Sequence, residues 1–463
     1  MSKYDIKDIN QLENICNSME KMMQPMEQLG NLMEKLTDIA LQAEKEGDLE
    51  LLQFIFSKIL PDMDSMSQIY QQFVTEGEGT KFKGMKKQLH TSRNMLNTFK
   101  PNCLIHVAAD STGNAGDYIL VRSLRKLIEG KNPDINWYSA HIRDAVDDDY
   151  FARCNRSRGV LLGGGGFFIR DTNQNDISGW QWACSIENLK KIKVPIYVMA
   201  VGYNRFRGQE EFDDRFRENL NALVEQSAFF GLRNHGSIEA VRGYLREDLK
   251  DKVVYHPCAT TVLSKMYQLP KREEKEPFIA VNCAFDRANM RYGEKMDDVM
   301  FSIARVLKEL SVNYKIKCYI HCAPDEIVCR YLDQLGVPYE KVHLGMEMED
   351  RENKGDELSA GEYLRYFTEP ELVLAIRGHA QMIPFGCKTP VVSMISHDKL
   401  QWFLNDIGHP EWGVEVLDEH FEEKLLEKSL YMLAHREEIC GQIEEAQEKL
   451  WDIMQENLKQ IEI

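Results

Sequence analysis

Leu372-Val373-Leu374-Ala375-Ile376-Arg377-Gly378-His379-Ala380 is the stretch that decides how the chain reads. It opens as an apolar run of the length of a buried parallel strand. The residues after it, up to a second apolar run at Pro390-Val391-Val392, have helical spacing. Arg377 and His379 therefore fall at the carboxyl end of a strand, where a helix begins. Open α/β sheets bind ligands at that edge, and a helix start with free N–H groups favours an anion. A permanent cation and a titratable imidazole two residues apart suit a substrate carrying phosphate or carboxylate. A salt-bridged surface loop is the competing reading of these residues alone.

Arg233 has the same placement. It ends the strand-like run Ala228-Phe229-Phe230-Gly231-Leu232, and a helix is expected over 238–245. Two arginines in equivalent positions of two units would clamp one anion from both sides. Further upstream, Cys103-Leu104-Ile105-His106-Val107 reads as a strand, followed by a small-residue loop ending Gly113-Asn114-Ala115-Gly116-Asp117. Leu120, Val121, Leu124, Leu127 and Ile128 then give a helical face. The loop has neither the Walker lysine nor G-x-G-x-x-G, so it is not a nucleotide loop, but its small residues let a ligand approach the backbone. Asp117 is placed to cap the helix or to face that ligand. Val160-Leu161-Leu162 is followed by Gly163-Gly164-Gly165-Gly166, which reads as a ligand-facing loop with Gly164 and Gly165 at its centre. Asn114, Asp117, Gly164 and Gly165 are thus candidate substrate-binding residues.

Further strand-like runs at 195–201, 253–255, 278–282, 316–320, 342–344 and 390–394 alternate with helical patterns at 180–192, 209–226, 296–310 and 360–367. Residues 271–277 are a charged connector. The expected organisation is a helical extension over 1–98, an α/β domain over 101–270, a second over 277–412, and helices over 413–463 that would pack on the N-terminal bundle. In the extension, Met22, Met23, Met26 and Met33 form a soft apolar face suited to core packing or self-association. Two Rossmann-like domains facing a cleft make the fold class α/β of GT-B type.

The bulk chemistry narrows the partners. A net charge of -17 disfavours nucleic acid or an anionic membrane surface as a partner for the whole surface. Eleven cysteines without paired spacing, and a polar start, indicate reduced thiols in the cytoplasm. No run approaches the ~18 apolar residues of a membrane span. Cys318, His321, Cys322 and Cys329 do not match a zinc-finger spacing, so buried thiols beside a satisfied loop histidine are expected, and no metal.

From about 101 to 410 the chain resembles the polysaccharide pyruvyltransferase family, which is similar in fold to GT-B enzymes. The resemblance rests on Gly113 to Asp117, Leu161-Leu162 with the glycine run, Arg233 with Ser237, Arg377-Gly378-His379, and Gly386 to Val392. It implies transfer of the enolpyruvyl unit of phosphoenolpyruvate onto a sugar of a cell-surface or exopolysaccharide glycan or glycolipid. The products are a cyclic pyruvate ketal and phosphate, and no cofactor is needed beyond the donor. By the same resemblance Arg233 and Arg377 bind phosphoenolpyruvate and His379 is the catalytic group. The chain departs at Gly378, where a larger apolar residue is common, implying a looser backbone, and at Asn234, where an Asp is frequent beside Arg233. The alternatives are a GT-B glycosyltransferase using a nucleotide sugar, and a non-catalytic glycan-binding or scaffold protein.

Overall fold

A computed structural model of the protein describes residues 36, 39–43, 45, 48–59, 94–110, 113–170, 176–272, 276–345 and 360–462. The methionine face at 22–33 lies outside the described residues. So does most of the expected N-terminal bundle, of which a helix over Leu49–Phe54 is described.

The first sheet contains β1 (Cys103–Ala108), β2 (Asn136–His141), β3 (Val160–Phe168), β4 (Ile196–Tyr203), β5 (Phe229–Leu232) and β6 (Val253–Tyr255). Its order is β2-β1-β3-β4-β5-β6, and every neighbouring pair is parallel. The second contains β7 (Phe278–Asn282), β8 (Lys315–Tyr319), β9 (Glu340–Val342), β10 (Leu372–Ala375), β11 (Val391–Ile395) and β12 (Gly413–Glu415). Its order is β12-β11-β10-β7-β8-β9, again parallel throughout. The central strands are buried along their whole length because helices cover both faces, which is why β4 and β10 read as apolar runs and β1 as one broken only by the buried His106. Strand order reverses between β1 and β3 in one sheet and between β7 and β10 in the other. These switch points open the crevices in which doubly wound sheets hold ligands.

Two expectations are corrected here. The glycine run is not a loop: β3 continues through it to Phe168. A Cβ at Gly163 would stand 1.9 Å from the Met199 carbonyl of β4, so glycine is required by the close approach of two strands. The helix expected over 180–192 shrinks to Ile186–Leu189. Trp180 and Trp182 are buried instead in the segment before it, with Trp180 Nε1 donating to Asn219 Oδ1 at 2.8 Å. The C-terminal helix Arg436–Lys459 bridges the two sheet layers, and its expected packing on the N-terminal bundle falls on residues outside the described ones. Its Gln447 amide donates to the Phe385 carbonyl after β10, and its Asn457 amide donates to the Tyr255 carbonyl of β6. Among the described residues no helix is long and apolar enough to cross a membrane.

The helix Ala115–Glu129 also joins the layers. Ala115, Tyr118 and Ile119 share an apolar cluster with Tyr363, Phe367, Ala380 and Ile383 from the second unit. This packing brings the carboxyl edges of the two sheets face to face.

Candidate active site

Between those edges lies a cleft of about 400 Å³, lined by Asn114, Asp117, Gly165, Arg233, Arg377 and His379 among others. Six of the seven residues singled out in the sequence therefore meet in one place. A larger depression of about 570 Å³, lined by Glu276, Tyr314, Lys315 and Tyr339, sits at the amino ends of β7, β8 and β9. It gathers no buried charges.

The first-sheet wall is built on strand ends. Asn114, not Asp117, caps the helix Ala115–Glu129: its side chain accepts from the Gly116 N–H at 3.0 Å. Its amide also donates to Asp117 Oδ2 at 2.8 Å, holding that carboxylate toward the cleft. Burial raises the Asp117 pKa to about 6, against the opposing pull of Arg377, Arg233 and Lys399. Because the folded value lies above the unfolded 3.8, stability from this group is complete below about pH 4 and is lost as pH rises through 6. Asp117→Asn should therefore gain about 2 kcal/mol over wild type between about pH 4.5 and about pH 7, measured by urea unfolding at each pH.

Arg233 follows β5 and lies across Gly202 of β4, where a Cβ would come within 2.3 Å of its Nε. It is 7 % exposed, its Nε has no hydrogen-bond partner, and no carboxylate of the described residues pairs with it. Burial pulls its pKa below the ordinary guanidinium value. The neighbouring Asn234 is occupied elsewhere, capping the helix His235–Arg242 through a 2.7 Å bond from the Ser237 N–H.

On the second-sheet wall Arg377 is held very differently. Its Nε and Nη2 grip Asp325, with Nε 2.8 Å from Oδ2, and its Nη1 stands 2.9 Å from Asp286 Oδ1. Burial disfavours the charge, but the hydrogen bonds and field of Asp325 more than offset it, and the Arg377 pKa rises. Asp286 in turn accepts from Arg291 Nη2 at 3.0 Å. Although burial alone would raise its pKa, Arg291 and Arg377 hold it below the usual carboxylate range. Arg377 is thus a compensated cation that shapes the wall. Asp325 is fully buried and also accepts from the Asn282 amide at 3.1 Å. Asp325→Asn should cost about 2 kcal/mol in chemical denaturation, because the guanidinium loses its charged partner while the amide contact survives.

Arg377 also caps the helix Gly378–Gly386 from the sequence side, and no side chain caps that helix's first N–H groups. Gly378 is its first residue, so the backbone is fixed by the helix rather than loosened. A Cβ there would meet only Lys399 Cε, at 3.9 Å, so glycine leaves room in the cleft. His379 packs on Gly116, where a Cβ would stand 2.7 Å from its Nδ1, and its Nε2 lies 3.9 Å from the Cys258 thiol. Burial first, then Arg233, Lys399 and His321, depress its pKa well below 6.5. The imidazole is therefore neutral at physiological pH and able to accept a proton.

Gly164 does not belong to the cleft. A Cβ on it would press 3.0 Å from Leu120 Cδ1, so its role is close packing of strand on helix. Several cleft residues went unrecognised in the sequence: Asn204, Asp286, Arg287, Arg291, His321 and Lys399. Lys399 follows β11 with the strand-end, helix-start placement of Arg233 and Arg377, and that rule would have found it. Its Nζ donates to Asn204 Oδ1 at 2.8 Å, and among the described residues no carboxylate pairs with it. Burial, then Arg233 and Arg291, pull its pKa well below the ordinary lysine value. His321 was expected to be a satisfied loop histidine, yet among the described residues neither ring nitrogen has a partner. The thiols of Cys318 and Cys329 are buried as expected, whereas Cys322 is half-buried. Among the described residues no three His, Cys, Asp or Glu side chains converge as metal ligands.

A family model for polysaccharide pyruvyl transferase matches residues 114–399, from the Asn114 cap to Lys399, both of which line the cleft. The chain belongs to the polysaccharide pyruvyl transferase family. Membership makes it a transferase of glycan modification, on a fold of two Rossmann-like domains. A comparison with curated proteins found no match. Among solved structures, the UDP-GlcNAc 2-epimerase of Neisseria meningitidis bound to UDP-GlcNAc is 12% identical, with a TM-score of 0.42 over 76% of this chain and 99% of that one. The UDP-GlcNAc 2-epimerase of Methanocaldococcus jannaschii is 11% identical, with a TM-score of 0.44 over 72% and 92%. HepE of Anabaena, in complex with UDP and glucose, is 9% identical, with a TM-score of 0.43 over 76% and 97%.

Proposed function

We propose that this member of the pyruvyl transferase family carries the pyruvyl group of phosphoenolpyruvate onto two hydroxyls of a glycan sugar, forming a cyclic ketal. The observation that carries the reading is the pair of basic side chains on opposite walls, Arg233 buried and Lys399 half-buried, with no carboxylate partner among the described residues. An uncompensated buried charge costs several kcal/mol, and a bound anion removes that cost. Phosphoenolpyruvate, with about three negative charges near neutral pH, supplies one. The N–H groups at the start of Gly378–Gly386 add donors beside it.

The reaction needs two protons moved. One sugar hydroxyl attacks C2 of the donor while the methylene carbon gains a proton and becomes a methyl. The second hydroxyl then displaces phosphate at the same carbon, and its proton leaves with the phosphate. His379, neutral and beside the cations, is suited to take the hydroxyl proton at attack. Asp117, with a pKa of about 6, is suited to hold a proton that the methylene carbon requires. Arg233 and Lys399 neutralise the charge that gathers on the departing phosphate.

Titration calorimetry separates this reading from a nucleotide-sugar transferase. Phosphoenolpyruvate and inorganic phosphate are expected to bind, and UDP- and GDP-sugars are not. Binding of a nucleotide sugar without phosphoenolpyruvate would reverse the assignment.

A further inference from the structure

His321 follows β8 and is 1 % exposed, yet among the described residues neither Nδ1 nor Nε2 has a hydrogen-bond partner. Buried ring nitrogens are ordinarily satisfied, because an orphaned polar group forfeits about 1–3 kcal/mol of solvation. The ring nevertheless lines the cleft, in the field of Arg377 and close enough to His379 to depress its pKa. The structural work of this residue is done by its main chain, whose carbonyl accepts from the Ala115 N–H at 3.3 Å at the start of the first cleft helix. The side chain is not needed for that bond. Packing against Phe367, at 6.1 Å between ring centres, orients the ring without engaging its nitrogens.

We propose that His321 is a donor-contacting residue: its ring N–H donates to an oxygen of the bound phosphorylated anion, on the second-sheet wall beside Arg377. A neutral imidazole always carries one N–H, so the orphaned ring brings a hydrogen-bond donor into a cleft already rich in cations. Arg377 cannot take this place fully, because Asp325 and Asp286 occupy its guanidinium. The assignment rests on the anion-binding reading of the cleft and adds a third imidazole- or amine-bearing contact from a strand end that Arg233, Arg377 and His379 do not use.

The test is calorimetric binding of inorganic phosphate to the full chain. Wild type should bind, and His321→Leu should bind about tenfold to a hundredfold more weakly, the loss expected for one hydrogen bond to a charged group. His321→Leu should also match or exceed wild type in thermal stability, since an orphaned buried polar group is replaced by an apolar one. Equal phosphate affinity in wild type and His321→Leu overturns the inference while leaving the cleft reading intact. Failure of wild type to bind either phosphate or phosphoenolpyruvate overturns both. An independent readout is spectroscopic: the ¹⁵N-imidazole signals of wild type should include a His321 resonance, assigned by its loss from the otherwise unchanged spectrum of folded His321→Gln, that moves on phosphate saturation. A His321 resonance that stays fixed at saturation overturns the inference.

Discussion

Replacing Arg233 by Met is expected to abolish most turnover while making the protein more stable. The guanidinium lies buried on Gly202 without a carboxylate partner among the described residues, so the apolar substitute relieves a desolvated charge and fills similar volume. A gain of about 1–3 kcal/mol in unfolding free energy follows from removing one such group. The same change removes a cation aimed at the charge that gathers on phosphate, worth about 10³-fold in kcat/KM. The two effects have opposite signs, which distinguishes a ligand-binding arginine from a structural one. Phosphate release and urea unfolding of the same preparation check both. Turnover within about threefold of wild type would remove Arg233 from the site.

His379→Ala is expected to lower kcat by about 10³-fold, with a smaller change in KM for the donor. Its imidazole is neutral in the free enzyme because burial and the surrounding cations oppose protonation. A bound trianion counters those cations and raises the imidazole pKa. The acid limb of the kcat profile should therefore lie at higher pH than that of kcat/KM, and both should fall as pH drops and the base is protonated. The variant should lose the kcat limb. Comparable limbs in wild type and variant would assign the base to another group.

The contrast between the two arginines of the strand-end pattern could not be read from their sequence context. Both follow buried strands and precede helices, yet among the described residues one has no carboxylate ion pair and the other is gripped by Asp325 and Asp286. Those carboxylates arrive from the ends of β8 and β7, which only the strand order brings beside β10. The central strands were legible because burial on both faces leaves no alternative to apolar residues. β2 and β12 were missed because they are sheet edges: Asn136–His141 is half-polar, and Gly413–Glu415 is three residues long. The glycine run misled in an instructive way. Loss of side chains there serves strand-to-strand contact at Gly163 and strand-to-helix contact at Gly164, and only Gly165 and Gly166 reach the cleft. Asp117 was visible as a helix-start residue. Its elevated pKa, by contrast, arises from burial in the folded cleft, against the opposing pull of Arg377, Arg233 and Lys399, and the local sequence shows neither.

The division of labour among the cations also explains Gly378. A side chain there would project toward Lys399, narrowing the space between the uncompensated lysine and the uncapped helix start. Glycine keeps that space open for a ligand while the helix supplies rigidity.

The central claim is that the enol carbon of phosphoenolpyruvate becomes a ketal on sugar. Phosphoenolpyruvate labelled with ¹³C at the methylene carbon, incubated with the protein and a panel of galactose- and mannose-type acceptors, tests it directly. The account predicts phosphate release matched by conversion of the methylene signal to a methyl attached through the ketal carbon to the acceptor. In D₂O that methyl should carry one deuteron. An unchanged methylene signal across the panel, or phosphate release that yields only free pyruvate, would contradict it.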